Sequence, residues 1–301
     1  MFGAIEAGGT KFVCGIGTSP EDLTIAQFPT SAPDVTLEGV IQFFQDSGKR
    51  FDAFGIGSFG PVDLDLASPS YGHITATPKA GWSNFDLVGA VRSAFDVPVG
   101  FDTDVNAAML GEATWGAARG LADAVYLTIG TGIGGGALVH GELVHGLVHP
   151  EMGHLRIPHD LARDPFPGCC PFHSDCLEGL ACGPAMQMRW GMPAALLPPD
   201  HTGWGLEAQY LAYGLANLTF SLSPRRFLLG GGVMQQPQLF DLIRREFSQL
   251  LNGYVHHPEV LERLQSFIQP PQLGARAGIL GALALAQHAA AAGTRAAGGR
   301  S

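Results

Sequence analysis

The chain has 301 residues, of which 46% are hydrophobic and 15% charged, and its formal net charge is −10. A sequence this apolar folds into packed domains rather than staying disordered, and its length is typical of about two domains. The acidic balance, without a block of lysine or arginine, excludes tight nucleic-acid binding through phosphate neutralisation.

The N-terminus and the apolar segments favour a cytoplasmic protein. Residues 1–12 lack a charged region followed by an apolar run, so they do not resemble a signal peptide. The Ala-rich stretch 277–293 indicates a core helix rather than a membrane span. In the cytoplasm thiols stay reduced, so a cysteine cluster favours metal binding or catalysis over disulfides.

The first half of the chain opens with a predicted β-hairpin. The strands FGAIEAG and KFVCGIG flank a bend at Gly8 and Gly9. TLEGVIQFFQDSGKR then has helical spacing and a Ser-Gly stop. The strand FDAFGIGS enters a Gly/Pro loop, and the helix NFDLVGAVRSAFD, the strand VPVGFDTD and the helix VNAAMLGEATWGAA follow.

Near residue 119 the pattern restarts. DAVYLTIGTGIGGGALVHGELVHG repeats the strand–glycine turn–strand opening, and PRRFLLGGGVMQQPQLF predicts a strand, a triple-glycine turn and a helix. The pattern predicts two similar α/β domains with a ligand site between them. We assign residues 1–115 and 275–290 to the first domain, 116–274 to the second, and 291–301 to a flexible tail.

Three glycine-rich turns carry the strongest functional signal: EAGGTK, GTGIGGG and LGGGV. Backbone N–H groups in such turns can surround a phosphate because no Cβ blocks the approach. Each turn alone is also compatible with a mere tight bend, but together they predict two phosphate clamps and a nucleoside platform. The residues assigned to these contacts are Gly8, Gly9, Thr10, Lys11, Gly130, Thr131, Gly132, Gly134, Gly231 and Gly232.

The order of motifs resembles a known family. EAGGTK, GTGIGGG, GELVHG, EMGH, CLEG and LGGGV follow one another as in the ROK family, the bacterial sugar kinases and repressors of the actin-like ATPase superfamily. TPKAGW, FDTDVN and CPFHSDCLEG are closer still to the ROK fructokinases. The resemblance implies an α/β fold of two actin-like (ribonuclease H-like) domains around a central cleft, ATP and Mg²⁺ as cofactors, and a homodimer.

The resemblance aligns Asp104 with the family's catalytic base, which accepts the proton of the attacking sugar hydroxyl. Asp104 is also compatible with a helix N-cap, and Asp102, two residues earlier, with a structural role. Thr103 stands where the family often has asparagine, and is assigned to the sugar site. Glu6 stands where many relatives have aspartate, and is expected to act on hydrated Mg²⁺ through water.

Two loops of the first half are assigned to the sugar. Gly60 and Pro61 are predicted to form a rigid turn at the edge of the sugar pocket, and Lys79 and Trp82 a second wall. Trp82 is equally compatible with an ordinary core position, and Lys79 with a solvated one.

A zinc site is predicted in the second half. Cys170, His173 and Cys176 have the spacing C-x2-H-x2-C, which suits tetrahedral zinc, and His154 is the best fourth ligand. Cys169 could replace Cys170, and a free-thiol loop or a disulfide is the alternative. Four protein ligands leave no open position for water, so the zinc is expected to be structural. It would position Glu151 and Glu178, with His154 itself, for hydrogen bonds to sugar hydroxyls.

These assignments predict an ATP:D-fructose 6-phosphotransferase acting on small molecules, with glucokinase or mannokinase as the alternative. ROK repressors carry an N-terminal helix-turn-helix, whereas the first glycine turn begins here by residue 6. A catalytically silent zinc-binding scaffold would not need Asp104 and the glycine turns. The remaining histidines are predicted to be surface or core residues without a partner set: His140, His145, His149, His159 and His201.

Overall fold

The computed structural model describes residues 1–298 and the side chains of residues 1–293. Two helix starts follow local signals, since the side chains of Asp86 and Thr103 accept the N–H groups of Gly89 and Asn106 in the helical turns that follow them.

The strands are β1 (Phe2–Ala7), β2 (Lys11–Gly17), β3 (Thr24–Pro29), β4 (Ala53–Ser58), β5 (His73–Ile74), β6 (Phe85–Asp86), β7 (Val99–Thr103), β8 (Ala124–Ile129), β9 (Ile133–Val139), β10 (Glu142–Leu143), β11 (Phe227–Gly230) and β12 (Ile268–Gln269). The helices are α1 (Pro33–Asp46), α2 (Leu87–Phe95), α3 (Asp104–Trp115), α4 (Leu177–Ala181), α5 (Gly183–Trp190), α6 (Gly203–Leu222), α7 (Pro237–Leu251), α8 (Pro258–Leu261), α9 (Leu264–Phe267) and α10 (Ala277–Gly298).

The described residues form two compact units. The first unit contains residues 1–120, 143–150 and 275–298, and the second contains residues 121–142 and 151–274. The prediction assigned 143–150 to the second domain, but this segment, which we call the strap, packs in the first unit. Two of its histidines have polar partners there, as described below.

A five-stranded sheet in the order β3-β2-β1-β4-β7 forms the centre of the first unit. β1 pairs antiparallel with β2 and parallel with β4, and β4 pairs parallel with β7. Every residue of β4 is buried, as expected for a parallel strand covered on both faces. One face carries an aromatic cluster of Phe44, Phe51, Phe54 and Phe95, with ring centroids 4.6–6.0 Å apart.

The opposite face of this sheet is covered by α10. A Cβ on Gly55 of β4 would lie 1.9 Å from the Ala282 carbonyl oxygen, so only glycine lets the helix approach this closely. α3 and α10 also pack closely, because a Cβ on Gly281 would lie 1.6 Å from the Ala107 carbonyl oxygen. These contacts hold the first turn of α3, with Asp104, at the carboxyl end of β7.

α10 is longer than the sequence pattern predicts. It continues to Gly298, through most of the segment predicted as a flexible tail, in keeping with the high helix propensity of its alanines. Residues 299–301 lie outside the described residues. Among residues 1–298, we find no helix that combines the length and the apolarity needed to cross a bilayer.

The second unit repeats the arrangement of the first. Its sheet has the order β10-β9-β8-β11-β12, in which β8 pairs antiparallel with β9 and parallel with β11. Phe227, Phe247 and Phe267 pack in its core with ring centroids 5.5–6.5 Å apart. The predicted strand–glycine turn–strand opening is present in both units. In each unit the glycine turn follows a strand, β1 or β8, that also pairs parallel with a later strand, β4 or β11.

Candidate active site

The first glycine turn joins β1 to β2 in the first unit. The Gly8 N–H donates to the Lys11 carbonyl at 3.0 Å, and a Cβ on Gly8 would lie 2.8 Å from the same oxygen. The Thr30 hydroxyl donates to the Gly8 carbonyl at 2.7 Å. Gly9 and Thr10 are exposed, so the turn is fixed at its base and open at its tip, as a phosphate-binding turn requires.

Two carboxylates, of Glu6 and Asp104, lie close enough to influence each other. Glu6, in β1, accepts a hydrogen bond from the Ile279 N–H in the first turn of α10. A Cβ on Gly278 would lie 2.5 Å from the Glu6 carboxyl group, so glycine makes room for it. Burial, and after it the charge of Asp104, raises the pKa of Glu6 to about 7, while Lys11 lowers it in part. Excess negative charge of this kind suits a hydrated Mg²⁺ ion, which keeps most of its waters.

The raised pKa of Glu6 predicts a pH-dependent loss of stability without metal or nucleotide. The folded pKa of about 7 exceeds the reference value of 4.5, so the folded state retains a proton between these values and loses stability as the pH rises through them. We expect Glu6→Gln to raise the free energy of unfolding by about 2 kcal/mol at pH 8, with little change at pH 4.5. Urea unfolding at both pH values measures this.

Glu38→Gln is the matched control, because Glu38 lies exposed on α1 of the same unit. This control should change the unfolding free energy at neither pH. Equal stabilities of Glu6→Gln and the wild type at pH 8 would contradict the raised pKa.

Asp104 is the first residue of α3. Its Oδ1 accepts the Val105 N–H at 2.8 Å. The preceding Thr103 is buried, and its hydroxyl accepts the Asn106 N–H at 3.1 Å as the N-cap of the helix. The Thr103 hydroxyl is thus already engaged by the helix, which gives Thr103 a structural role alongside its predicted place in the sugar site.

Asp102 lies at the end of β7 and is buried. Its Oδ1 accepts the Thr103 N–H and the Asn106 Nδ2, both at 2.8 Å. Its Oδ2 lies 2.8 Å from His145 Nε2 on the strap, and this hydrogen bond raises the pKa of His145. The sequence predicts no partner for His145, since 43 residues separate the pair.

The loop of Gly60 and Pro61 is held from two sides within the first unit. The peptide bond between them is cis, and the Pro61 carbonyl accepts the Thr75 N–H at 2.8 Å. The Val62 N–H donates to His149 Nε2 at 3.2 Å, and His149 is buried. His149 is therefore a second strap histidine with a partner that sequence reasoning missed.

Trp82 and Lys79, which were predicted to form a second wall of the sugar pocket, have different surroundings in the structure. Trp82 is a core residue rather than an exposed wall: it is fully buried against Phe12, Phe59 and Phe85, and its Nε1 donates to the Ser31 carbonyl at 2.7 Å. Lys79 lies on the preceding turn and is half-buried. Among the described residues its ammonium group forms no hydrogen bond or ion pair, so it can contact a ligand.

The other two glycine turns meet inside the second unit. The Gly130 N–H donates to the Gly132 carbonyl at 2.8 Å, and the Gly183 N–H of α5 donates to the Gly130 carbonyl at 2.7 Å. Gly231 follows β11 with φ +94°, and its Cα lies against the end of β8. Thr131 is exposed on the first of these turns, while Gly134 is paired in β9.

Gly231 is the most constrained position of these turns. A Cβ there would lie 2.3 Å from the Ile129 carbonyl oxygen, and its φ of +94° disfavours other residues. We expect Gly231→Ala to lower the unfolding free energy by more than about 2 kcal/mol, as measured by thermal unfolding. Gly232→Ala is the folding control, because its φ is −66° and a Cβ there would meet no atom within 4 Å. Equal melting temperatures of the two variants would contradict the close packing of the turns.

Four side chains of the second unit form the predicted metal cluster. Ligand atoms of His154, Cys170, His173 and Cys176 all lie within 4.8 Å of one another. His154 Nδ1 is 3.8 Å from Cys170 Sγ and 3.5 Å from Cys176 Sγ, and Cys170 Sγ is 3.7 Å from His173 Nδ1. Zinc bonds of about 2.0–2.3 Å in a tetrahedron give ligand separations of roughly 3.3–3.8 Å. The residues therefore fit a structural zinc ion.

Cys169 lies outside this cluster. Its Sγ is 3.6 Å from Cys182 Sγ, and both thiols are free. The structure thus favours Cys170 over Cys169 as the ligand. The loop is further held by Asp175, whose carboxylate pairs with Arg156 at 2.7 Å and lies 3.4 Å from His159 Nδ1.

The two glutamates assigned to the sugar have different surroundings. Glu178 is the second residue of α4, which begins directly after Cys176, and its Oε2 accepts the Ile133 N–H at 2.9 Å. It therefore connects the metal loop to the glycine turn between β8 and β9. Glu151 is exposed and precedes the short 3₁₀ turn Met152–His154, whose His154 N–H donates to the Glu151 carbonyl at 3.0 Å. His154 turns Nδ1 toward both thiols, which leaves Nε2 on the other side of the ring.

Glycine turns, strand-end carboxylates and a repeated sheet order define an ATPase of the actin-like (ribonuclease H-like) class. A structural match supports this: a ROK family glucokinase from Streptomyces griseus, solved with glucose and AMPPNP, has a TM-score of 0.71 and 26% identity, covering 95% of this chain and 99% of that chain. The chain belongs to the ROK family, whose model matches residues 2–289.

Two curated relatives are more similar in sequence. A Bacillus subtilis (strain 168) protein, provisionally named a fructokinase, is 51% identical over 292 residues, 96% of either chain. A fructokinase of Pediococcus pentosaceus is 42% identical over 290 residues, covering 96% of this chain and 98% of the relative.

Proposed function

We propose that this protein is an ATP-dependent fructokinase that transfers the γ-phosphoryl group to the 6-hydroxyl of D-fructose. The fructokinase relatives reach 51% identity over nearly the whole chain, against 26% for the S. griseus glucokinase. The observation that carries the chemistry is Asp104, a carboxylate at a helix start whose charge acts on the metal-binding candidate Glu6.

Asp104 is the base of this proposal. It orients the sugar hydroxyl and accepts its proton as the oxygen attacks the γ-phosphorus. The attack is in line, and the protein contributes mainly by positioning groups and stabilising charge. One Asp104 oxygen accepts the Val105 N–H, which holds the carboxylate in one orientation.

The glycine turns bind the phosphates. In the first unit, the tip of the turn at Gly9 and Thr10 is exposed, and Lys11 follows with its ammonium group near Gln27, at 3.2 Å from Oε1. In the second unit, the turns of Gly130 and Gly231 supply backbone N–H groups and Thr131 a hydroxyl. Mg²⁺, held through water near Glu6, would neutralise charge on the transferred phosphoryl group.

The zinc ligands fix the segments that carry the sugar-binding glutamates. Glu178 lies two residues after Cys176, and Glu151 three residues before His154. Zinc is structural here, because four protein ligands complete its coordination. Its removal should therefore weaken hexose binding without abolishing the base chemistry of Asp104.

A coupled ATP-consumption assay over fructose, glucose and mannose tests the proposal. We expect the highest kcat/KM for fructose, with fructose 6-phosphate as the product. A higher value for glucose or mannose would overturn the substrate assignment but not the kinase class. A homodimer in the cytoplasm remains a prediction from the family resemblance, and light scattering of the purified protein measures the assembly.

A further inference from the structure

We propose that His145, through Asp102, is a positioning residue for the base Asp104. This inference rests on the proposed kinase function, because it assigns a role in that reaction to two residues outside the predicted phosphate, sugar and metal contacts. The pair joins the strap to the turn between β7 and α3, directly before the base.

The Asp102 carboxylate is buried and needs charged or polar partners. Its side chain is only 3% exposed, and a buried carboxylate is costly unless it is paired and hydrogen-bonded. Thr103 N–H and Asn106 Nδ2 satisfy one oxygen, and both are neutral donors. His145, at 2.8 Å, supplies the other oxygen with a donor that can carry positive charge.

Asp102 holds the first turn of α3 through two hydrogen bonds. Thr103 and Asn106, which donate to it, flank Asp104 in sequence and are joined by the N-cap hydrogen bond of α3. Asn106 Oδ1 is buried and has no hydrogen-bond partner among the described residues. Its amide is therefore held through Nδ2 alone, which donates to Asp102 Oδ1 at 2.8 Å. Rotation of the Asp102 carboxylate would release the first turn of α3, and with it Asp104.

His145 is a partly exposed residue of the strap. Its side chain is 44% exposed, so packing in the core does not hold it. Its hydrogen bond to a buried acid, rather than apolar burial, is what fixes its ring. In many active sites a carboxylate orients a histidine. Here the roles are exchanged, because His145 orients the carboxylate of Asp102.

The test compares three variants in the whole protein with its best hexose. His145→Phe removes the donor but keeps a ring, and His145→Gln keeps an amide donor near the position of Nε2. We expect His145→Phe to lower kcat about 10- to 100-fold with KM for ATP unchanged, because small misplacements of a reacting group have effects of this size. His145→Gln should recover most of the loss, and His288→Phe, at an exposed position of α10, should keep wild-type kcat.

A double-mutant cycle with Asp104→Asn separates positioning from a general structural role. If His145 acts through the base, His145→Phe has no further effect on the residual turnover of Asp104→Asn. Full additivity of the two losses, or a failure of glutamine to rescue, would overturn the inference. A wild type that prefers glucose or mannose overturns the fructose assignment alone, and the cycle is then run with that sugar. A wild type that phosphorylates no hexose overturns both proposals.

Discussion

Asp104→Asn is expected to lower kcat by about 10²- to 10⁴-fold, the range that general acid–base catalysis contributes. Asparagine has the shape of aspartate and can still accept the Val105 N–H through its carbonyl oxygen, so the fold should persist. It cannot accept the proton of the sugar hydroxyl. Steady-state kinetics with fructose, together with calorimetric titration of the sugar, should show lost turnover and near-normal affinity.

Asp86→Asn is the matched control for this variant. Asp86 also begins a helix of the first unit, and its side chain accepts the Gly89 N–H at 2.7 Å. Asparagine caps helices as well as aspartate does, so we expect unchanged turnover. If Asp104→Asn kept more than about a tenth of wild-type kcat, the assignment of Asp104 as base would be wrong.

Cys170→Ser is expected to release the zinc ion and to weaken hexose binding. A serine hydroxyl replaces a thiolate poorly as a zinc ligand, because zinc in such sites prefers sulfur and imidazole. Since structural zinc stabilises folded protein by about 10 kcal/mol or more in small domains, a large fall in melting temperature should accompany the loss. Elemental analysis and KM for fructose are the measurements.

The neighbouring cysteine provides the control. Cys169 faces Cys182 rather than the cluster, with the two sulfurs 3.6 Å apart. Cys169→Ser should therefore retain zinc and the wild-type KM. If Cys170→Ser kept its zinc and Cys169→Ser lost it, Cys169 would be the ligand and the assignment of Cys170 would be wrong.

Local patterns predicted much of the fold and the metal cluster. The glycine turns and hairpins depend on residues within a few positions of one another, and period-2 strands or glycine bends indicate them directly. The spacing of Cys170, His173 and Cys176 likewise indicates one ion, and His154 joins them in space. β3 escaped prediction, because the apolar and polar residues of TIAQFP do not alternate regularly, and none of its residues is buried.

The remaining site features depend on pairings that no spacing reveals. The contact of His145 with Asp102 joins residues on separate elements, and that of His149 with the Val62 N–H spans 87 residues. Trp82 occupies the core because aromatic neighbours surround it, and a single sequence cannot distinguish this from a wall that faces a sugar. Glu178 hydrogen-bonds a backbone N–H of the glycine turn, a partner that side-chain patterns do not indicate.

The position of α10 in the sequence affects the order in which the first unit can fold during synthesis. β1 and β4 leave the ribosome early, but the helix that covers them begins only at Ala277. Domains usually fold as they emerge, with the N-terminal one first. Here the unit that is begun first is completed last. A chain that ends before Ala277 leaves the face of β4 that α10 normally covers exposed to solvent. Such fragments should therefore be bound by chaperones or degraded rather than accumulate.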